Sequence, residues 1–231
     1  MPSVINPNVQ FDGEMSVRYD CFVPKLIPDY VHLHELLVAQ LGIALGKGSR
    51  ILVVGAGTCT EVLTLADFDP TWTFVAVEPS APMVSVARER IEAAGLSDRV
   101  SFHVGTLGTL KDQGPFDAAT AILMMHFVPV DQKAAVFEDI AKRLKTNAPL
   151  VMVHPIGDPE SDEHAPAMQA WRNHMNETLK EKADTVYANV SETLHFMSDN
   201  AQTDALSGVG FDQVVRFHTR MVFGAWVAMK G

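Results

Sequence analysis

Apolar and polar residues along this chain follow two rhythms that take turns. From Tyr30 to Leu45, Val31, Leu33, Leu36, Leu37, Leu41 and Leu45 fall largely on one helical face, with Asp29 placed as N-cap and Gly46 and Gly48 as the stop. Ile51-Leu52-Val53-Val54 is instead a continuous apolar run, the pattern of a strand covered on both faces in a parallel sheet. Glu61 to Ala66 predicts a helix, and Thr73 to Val77 a second buried strand that ends at Glu78. Ser80 to Ala94 predicts the next helix, with Ser80 as cap, Pro82 in the first turn, Met83, Ala87 and Ile91 on one face and Gly95 as terminator. Val100–Val104, Phe116–Leu123 and Leu150–Val153 give three further strands. Before the last of them, Asp131–Lys145 predicts a capped amphipathic helix that turns Val136, Phe137, Ile140 and Leu144 inward.

Beyond Pro155 the pattern changes. The acidic, proline-containing run GDPESDEHAPA leads into a predicted helix around Met168 to Lys182, which reads as an insertion. A helix over Asp199–Ser207 follows, then strands near Gln213–His218 and Met221–Met229. Too few residues separate those two strands for a crossover helix, so they pair antiparallel. Strands alternating with helices predict an α/β fold, a doubly wound, seven-stranded and mostly parallel sheet with an antiparallel C-terminal strand and a helical insertion after the fifth strand.

Composition narrows the function. The chain has 231 residues, 47% of them hydrophobic, which suits an ordinary buried core rather than disorder. Lys plus Arg total 18 against 28 Asp plus Glu, for a formal net charge of -10. That balance opposes broad electrostatic capture of nucleic acid, and no run of basic residues offsets it. Two cysteines, Cys21 and Cys59, suit reduced thiols. The opening MPSVINPNVQFDGE has neither a basic start nor an apolar core, and no apolar stretch approaches the roughly 18 residues that span a bilayer. The expectation is a cytoplasmic protein with no membrane partner. A homo-oligomer stays open, with the exposed face of the last strands as the surface available for pairing.

The chemistry concentrates after the first strand. In Val54-Gly55-Ala56-Gly57-Thr58-Cys59, two glycines permit a tight turn and let a ligand approach the backbone, since no Cβ stands in the way. Glycines here also serve a simple turn. Glu78, 21 positions after Gly57 and ending the next strand, favours a ligand, because a carboxylate there can accept both hydroxyls of a ribose lying across the strand ends.

On these residues the chain resembles the class I S-adenosylmethionine-dependent methyltransferases, whose fold is Rossmann-like. Their glycine-rich loop, second-strand acid, third-strand loop and fourth strand correspond in order to Gly55–Thr58, Glu78, Gly105–Leu107 and Phe116–His126. The match runs from about Tyr30 to Val153, and Gly210–Val215 with Phe223–Lys230 look like that fold's closing antiparallel pair. The resemblance implies S-adenosyl-L-methionine as cofactor, held by Tyr30, Gly55, Ala56, Gly57, Thr58, Glu78, Pro79, Met83, Gly105, Thr106, Leu107 and Ile122. It also implies one domain over 1–231, with an N-terminal cap and first helix at 1–48 and a cofactor-binding core at 49–154. The helical insertion and last helix then occupy 155–208, and the closing strands 209–231. A narrower similarity, in Ile27-Pro28-Asp29-Tyr30 and the Phe223-Gly224 ending, is to the branch containing the enzyme that carboxymethylates a tRNA wobble uridine. In that branch the tyrosine contacts the cofactor, and an arginine in the last helix holds a carboxylated form of it. Ala205 stands at the arginine's position, which implies plain S-adenosylmethionine. The sequence also departs from the family pattern at Val53, where many relatives carry an acid, at Cys59 for the third glycine and at Thr106 for an adenine-contacting acid.

Methyl transfer from a sulfonium needs the donor carbon in line with a nucleophile, and positioning can supply much of the catalysis. His126 and His154, just past the fourth and fifth strands, are the candidate general bases, with structural histidines as the alternative. Tyr19 and Tyr30 are candidates for the pocket mouth. Met168, Trp171 and Met175 lie at helical spacing and read as packing before they read as a lid. His32 and His34 do not share a helical face, so no metal is expected. The leading expectation is a methyltransferase acting on a small-molecule acceptor. Two alternatives remain: an NAD-dependent oxidoreductase, disfavoured by Thr60 where the third glycine of that fingerprint belongs, and an inactive binding protein that kept the fold.

Overall fold

The computed structural model describes residues 13–231, so the first twelve residues of the polar leader lie outside the described residues. The elements run in the order α1 (Gly13–Leu26), α2 (Tyr30–Ala44), β1 (Arg50–Val54), α3 (Thr60–Phe68), β2 (Thr73–Glu78), α4 (Ala81–Ala93), β3 (Val100–Val104), β4 (Ala118–Ile122), α5 (Val130–Ala141) and β5 (Pro149–Pro155). They continue through α6 (His164–Leu179), α7 (Ala183–Ser191), α8 (Asp199–Ser207), β6 (Phe211–Arg220) and β7 (Phe223–Lys230). The seven strands form one sheet in the order β3-β2-β1-β4-β5-β7-β6. β1 to β5 pair parallel, and β7 runs antiparallel to both β5 and β6, so it alone opposes the sheet direction. The expected architecture is therefore the observed one.

The continuous apolar runs explain the central position of β1 and β4. Both are buried along almost their whole length, as strands sandwiched between helical layers must be. One layer packs α1, α2, α3, α6 and α7 on Ile51, Val53, Ala118 and Val151. The other packs α5 and α8 on Leu52, Ala119, Leu150 and Met152. Each strand thus sends alternate side chains to opposite layers.

Two local readings change, those of Asp29 and of the leader, while Ser80 and the Met168–Met175 stripe keep theirs. Asp29 is not a side-chain cap: its backbone is left-handed, it makes no cap hydrogen bond, and its carboxylate pairs with Arg220 at 3.2 Å. Ser80 does cap α4, accepting from the Met83 amide at 3.3 Å. The predicted leader contains a helix, α1, whose Val23 and Leu26 are buried in the core. Trp171 and Met175 are also buried, and the Trp171 indole N–H donates to the Leu26 carbonyl at 2.8 Å. The Met168–Trp171–Met175 stripe is thus packing that fastens α6 to the end of α1.

Candidate cofactor and acceptor site

Because β1 to β4 are parallel, their carboxyl ends lie along one edge, and the strand order reverses between β1 and β4. A crevice at such a reversal is where open α/β sheets take ligands. Glu78 ends β2 there. One of its oxygens accepts the Gly57 amide and the other the Ser80 amide, both at 2.9 Å. Each oxygen keeps a lone pair for a hydroxyl donor. Burial pushes the Glu78 carboxyl upward, and its two backbone amide bonds oppose that shift.

The glycine loop is shaped by its backbone. The Gly55 and Ala56 amides donate to the Val77 carbonyl at 2.8 and 3.0 Å. Gly55 has a φ of 71°, and a Cβ there would lie 2.6 Å from the Met124 Cβ. Gly57 also has a positive φ but no heavy atom near its open side, so the main chain can be approached there. Cys59 adopts the left-handed conformation that a third glycine would take, at φ 65°.

The other sequence-predicted cofactor residues converge on this edge. Pro79 follows Glu78, Met83 is buried in the first turn of α4, and Gly105–Leu107 follow β3, tied back by the Gly105 amide to the Glu78 carbonyl at 3.0 Å. Ile122 ends β4. Tyr30 opens α2, is buried, and meets His34 edge-on at 4.7 Å. Burial raises its phenol to about 12.

Several residues that matter here were not singled out in the sequence. Asp20 on α1 accepts the hydroxyls of Thr58 at 2.7 Å and Thr60 at 3.2 Å, and pairs with Arg90 at 2.9 Å. Arg90 in turn donates to the Thr58 carbonyl at 2.7 Å. Tyr19, one position earlier and already a candidate from the sequence, is half-buried within electrostatic reach of Tyr30, Glu61 and Glu78. Glu61 is buried at the start of α3, with its carboxyl raised to about 8 chiefly by desolvation, and accepts the Thr120 hydroxyl at 2.9 Å. Thr120 is the register partner of Val53, so Glu61 brings a carboxyl beside the position where the sequence resemblance expected an acid. A helix period places Glu61 inward, but nothing in the sequence pairs it with Thr120.

His126 and His154 lie close together, both buried, on the layer that holds α5 and α8. The His154 ring stacks on Trp226 with centroids 5.0 Å apart, and its Nε2 meets the Gln202 side-chain oxygen at 2.5 Å. Desolvation drives the His154 imidazole down to about 3 and that of His126 well below its usual range. Both rings are therefore neutral at physiological pH. His34 donates from Nδ1 to the Tyr30 carbonyl, 2.9 Å away, a structural contact within α2.

Comparison with known proteins places this geometry. Residues 51–147 match the family model for a methyltransferase domain. Over 228 residues, 96% of this chain and 92% of the relative, the sequence is 24% identical to the carboxy-S-adenosyl-L-methionine synthase of Dichelobacter nodosus. Among solved structures, the S-adenosylmethionine-dependent methyltransferase SibL superposes with a TM-score of 0.64 at 18% identity, covering 85% of this chain and 54% of that one. A geranyl diphosphate methyltransferase, solved in complex with GPP and sinefungin, gives a TM-score of 0.64 at 14% identity, covering 87% of this chain and 77% of that one. Those two likenesses are of fold. The matched methyltransferase domain covers β1 to β4, the strands that line the crevice, and the sheet as a whole has the Rossmann-like fold of those solved methyltransferases. No described helix is long and apolar enough to cross a membrane.

Proposed function

We propose that this chain transfers the methyl group of S-adenosylmethionine to a small-molecule acceptor bound over the ends of β4 and β5. The observation that carries the reading is the Glu78 carboxylate, which bridges the Gly57 and Ser80 amides inside the matched methyltransferase domain and keeps acceptor capacity for a ribose diol. When bound, the cofactor supplies an electrophilic methyl group on a sulfonium.

In this reading Gly55, Ala56, Gly57 and Thr58 offer backbone to the cofactor. Glu78 and Pro79 hold its ribose side, Gly105, Thr106 and Leu107 flank the base, and Met83, Ile122 and Tyr30 supply apolar walls. Glu61 sets a carboxyl near the cationic end of the ligand, compensating for Val53. His126 and His154 stay the candidate bases, but burial makes their imidazoles weak bases at neutral pH, so positioning of donor and acceptor carries most of the catalysis. Ala205, packed against the α5–α8 layer, leaves α8 without an arginine at the position that the carboxylated cofactor requires, so plain S-adenosylmethionine is the donor.

Calorimetric titration with S-adenosylmethionine, S-adenosylhomocysteine and NAD tests the reading. Binding of the two sulfur compounds and not NAD is expected. Binding of NAD alone points to the oxidoreductase alternative, and binding of none to an inactive scaffold.

A further inference from the structure

Between the ends of β4 and β5 and the helices α5 and α8 lies a cluster of basic side chains with no acid among the described residues that form it. Lys133 on α5 is 1% exposed, yet among the described residues its ammonium donates to a single carbonyl, that of His195 at 2.6 Å. Around it stand His126 from the turn after β4, His154 from β5, Gln202 from α8 and His195 from the segment joining α7 to α8. The Nδ1 atoms of His126 and His154 and the Nε2 of Gln202 are buried and make no hydrogen bond. Among the described residues no carboxylate acts on Lys133, His126 or His154. Asp199, on the first turn of α8, is committed elsewhere: it accepts the Trp226 indole N–H at 2.8 Å and pairs with Arg216 at 3.2 Å.

A buried ammonium held by one neutral carbonyl, with further polar atoms idle beside it, is costly unless a ligand compensates. We infer that this cluster binds the carboxylate group of a small molecule, with Lys133 as the charged partner and the Gln202 amide and His126 imidazole as neutral donors. Two observations select a carboxylate. The cluster offers a single positive charge, since both imidazoles are neutral, which balances a monoanion and not a phosphate dianion. Its donors also come from separate elements, Lys133 from α5, Gln202 from α8 and His126 from the turn after β4, which suits a planar group whose two oxygens accept from different sides.

The segment joining α7 to α8 supplies the way in. The His195 amide donates to the His126 carbonyl at 2.8 Å, and the His195 carbonyl occupies Lys133. Lifting this segment exchanges a neutral carbonyl oxygen for a charged one at the ammonium. The cluster adjoins the cofactor crevice, because the turn that carries His126 also carries Met124, which packs on Gly55. A carboxylate held here therefore belongs to the methyl acceptor; that role rests on the methyltransferase reading, and the site itself does not.

The test uses the full chain with sodium acetate as probe, against chloride and phosphate at equal ionic strength and pH 7. Acetate is expected to raise the unfolding temperature by several degrees and to move the 15N imidazole signals of His126 and His154, with chloride and phosphate doing neither. Lys133→Met, which keeps the packing of the stem, should abolish both responses while leaving S-adenosylmethionine affinity within twofold. An acetate response that survives in Lys133→Met, or one matched by chloride, overturns the site. If that variant does not fold, the wild-type imidazole response decides: it must fade as pH rises past about 8, where Lys133 gives up its proton. A response that persists above that pH overturns the site. Cofactor titration of the same samples separates the two readings. Cofactor binding without an acetate response removes this site alone, and an acetate response without cofactor binding removes the methyltransferase reading alone.

Discussion

The Asp20 carboxylate accepts the Thr58 hydroxyl at 2.7 Å, so the N-terminal helix holds the glycine loop by its last side chain. Arg90 closes the circuit from α4, pairing with Asp20 and donating to the Thr58 carbonyl. The pair is about one-third exposed, at 28% and 32%, so its charged hydrogen bonds are partly screened by water.

Asp20→Ala should therefore loosen the loop without unfolding the chain. We expect S-adenosylmethionine to bind several-fold more weakly, about 1 kcal/mol, the usual worth of a partly exposed charged contact. Asp20→Asn, which still accepts from Thr58, should lose less. Calorimetric affinities of the two variants that equal the wild-type value would show that the loop holds its shape without α1.

Glu78→Ala removes the acceptor for the Gly57 and Ser80 amides as well as the proposed ribose contacts. Leaving such partners unsatisfied should weaken cofactor binding by roughly 1 to 3 kcal/mol. A folded variant with unchanged affinity would remove Glu78 from the site.

Glu61 gives a pH signature. Its carboxyl is raised from the ordinary 4.5 to about 8, so its contribution to stability is present below about 4.5 and is lost as pH rises through about 8. Glu61→Gln, which has nothing to ionise, should be more stable than the wild type above pH 8, by a few kcal/mol on the scale of such shifts. The difference should close toward pH 4.5. Denaturant unfolding at a series of pH values checks this, and parallel curves for the two proteins would contradict it.

Much of this was legible in the sequence because it follows from period and punctuation. An apolar run such as Ile51–Val54, short and bounded by glycines, reads as a covered strand, and Glu78 ends β2 at the sheet edge where the glycine loop lies. What was not legible depends on side chains meeting across long separations. Asp20 reaches a loop 38 positions away, and Glu61 reaches Thr120 over 59. Lys133 reads as the polar face of an amphipathic helix, and only the packing of α8 and the His195 segment over α5 buries it. The leader hid α1 for a related reason: Val23 and Leu26 become apolar anchors once Trp171 and α6 are there to receive them. Asp29 looked like a cap because its residue type fits, but the tight link between α1 and α2 places it in the left-handed region, where its side chain turns to Arg220 instead.

His154 separates structural from catalytic roles. Its imidazole is depressed to about 3 by burial, so its stabilising contribution is complete above the unfolded value of 6.5 and is lost as pH falls toward 3. His154→Phe keeps a ring against Trp226 and removes the titrating group, so its stability should fall less steeply below pH 6.5 than that of the wild type. His154→Ala also loses the stack and leaves Gln202 without its partner, and should cost about 2 to 4 kcal/mol. Neither change, nor His126→Ala, should alter S-adenosylmethionine affinity, because both histidines face the α5–α8 layer while the Asp20-bound side of the glycine loop faces α1. A cofactor affinity lowered tenfold in a folded His154→Phe protein would place that ring in the cofactor site. Retained binding with lost turnover would place it at the acceptor.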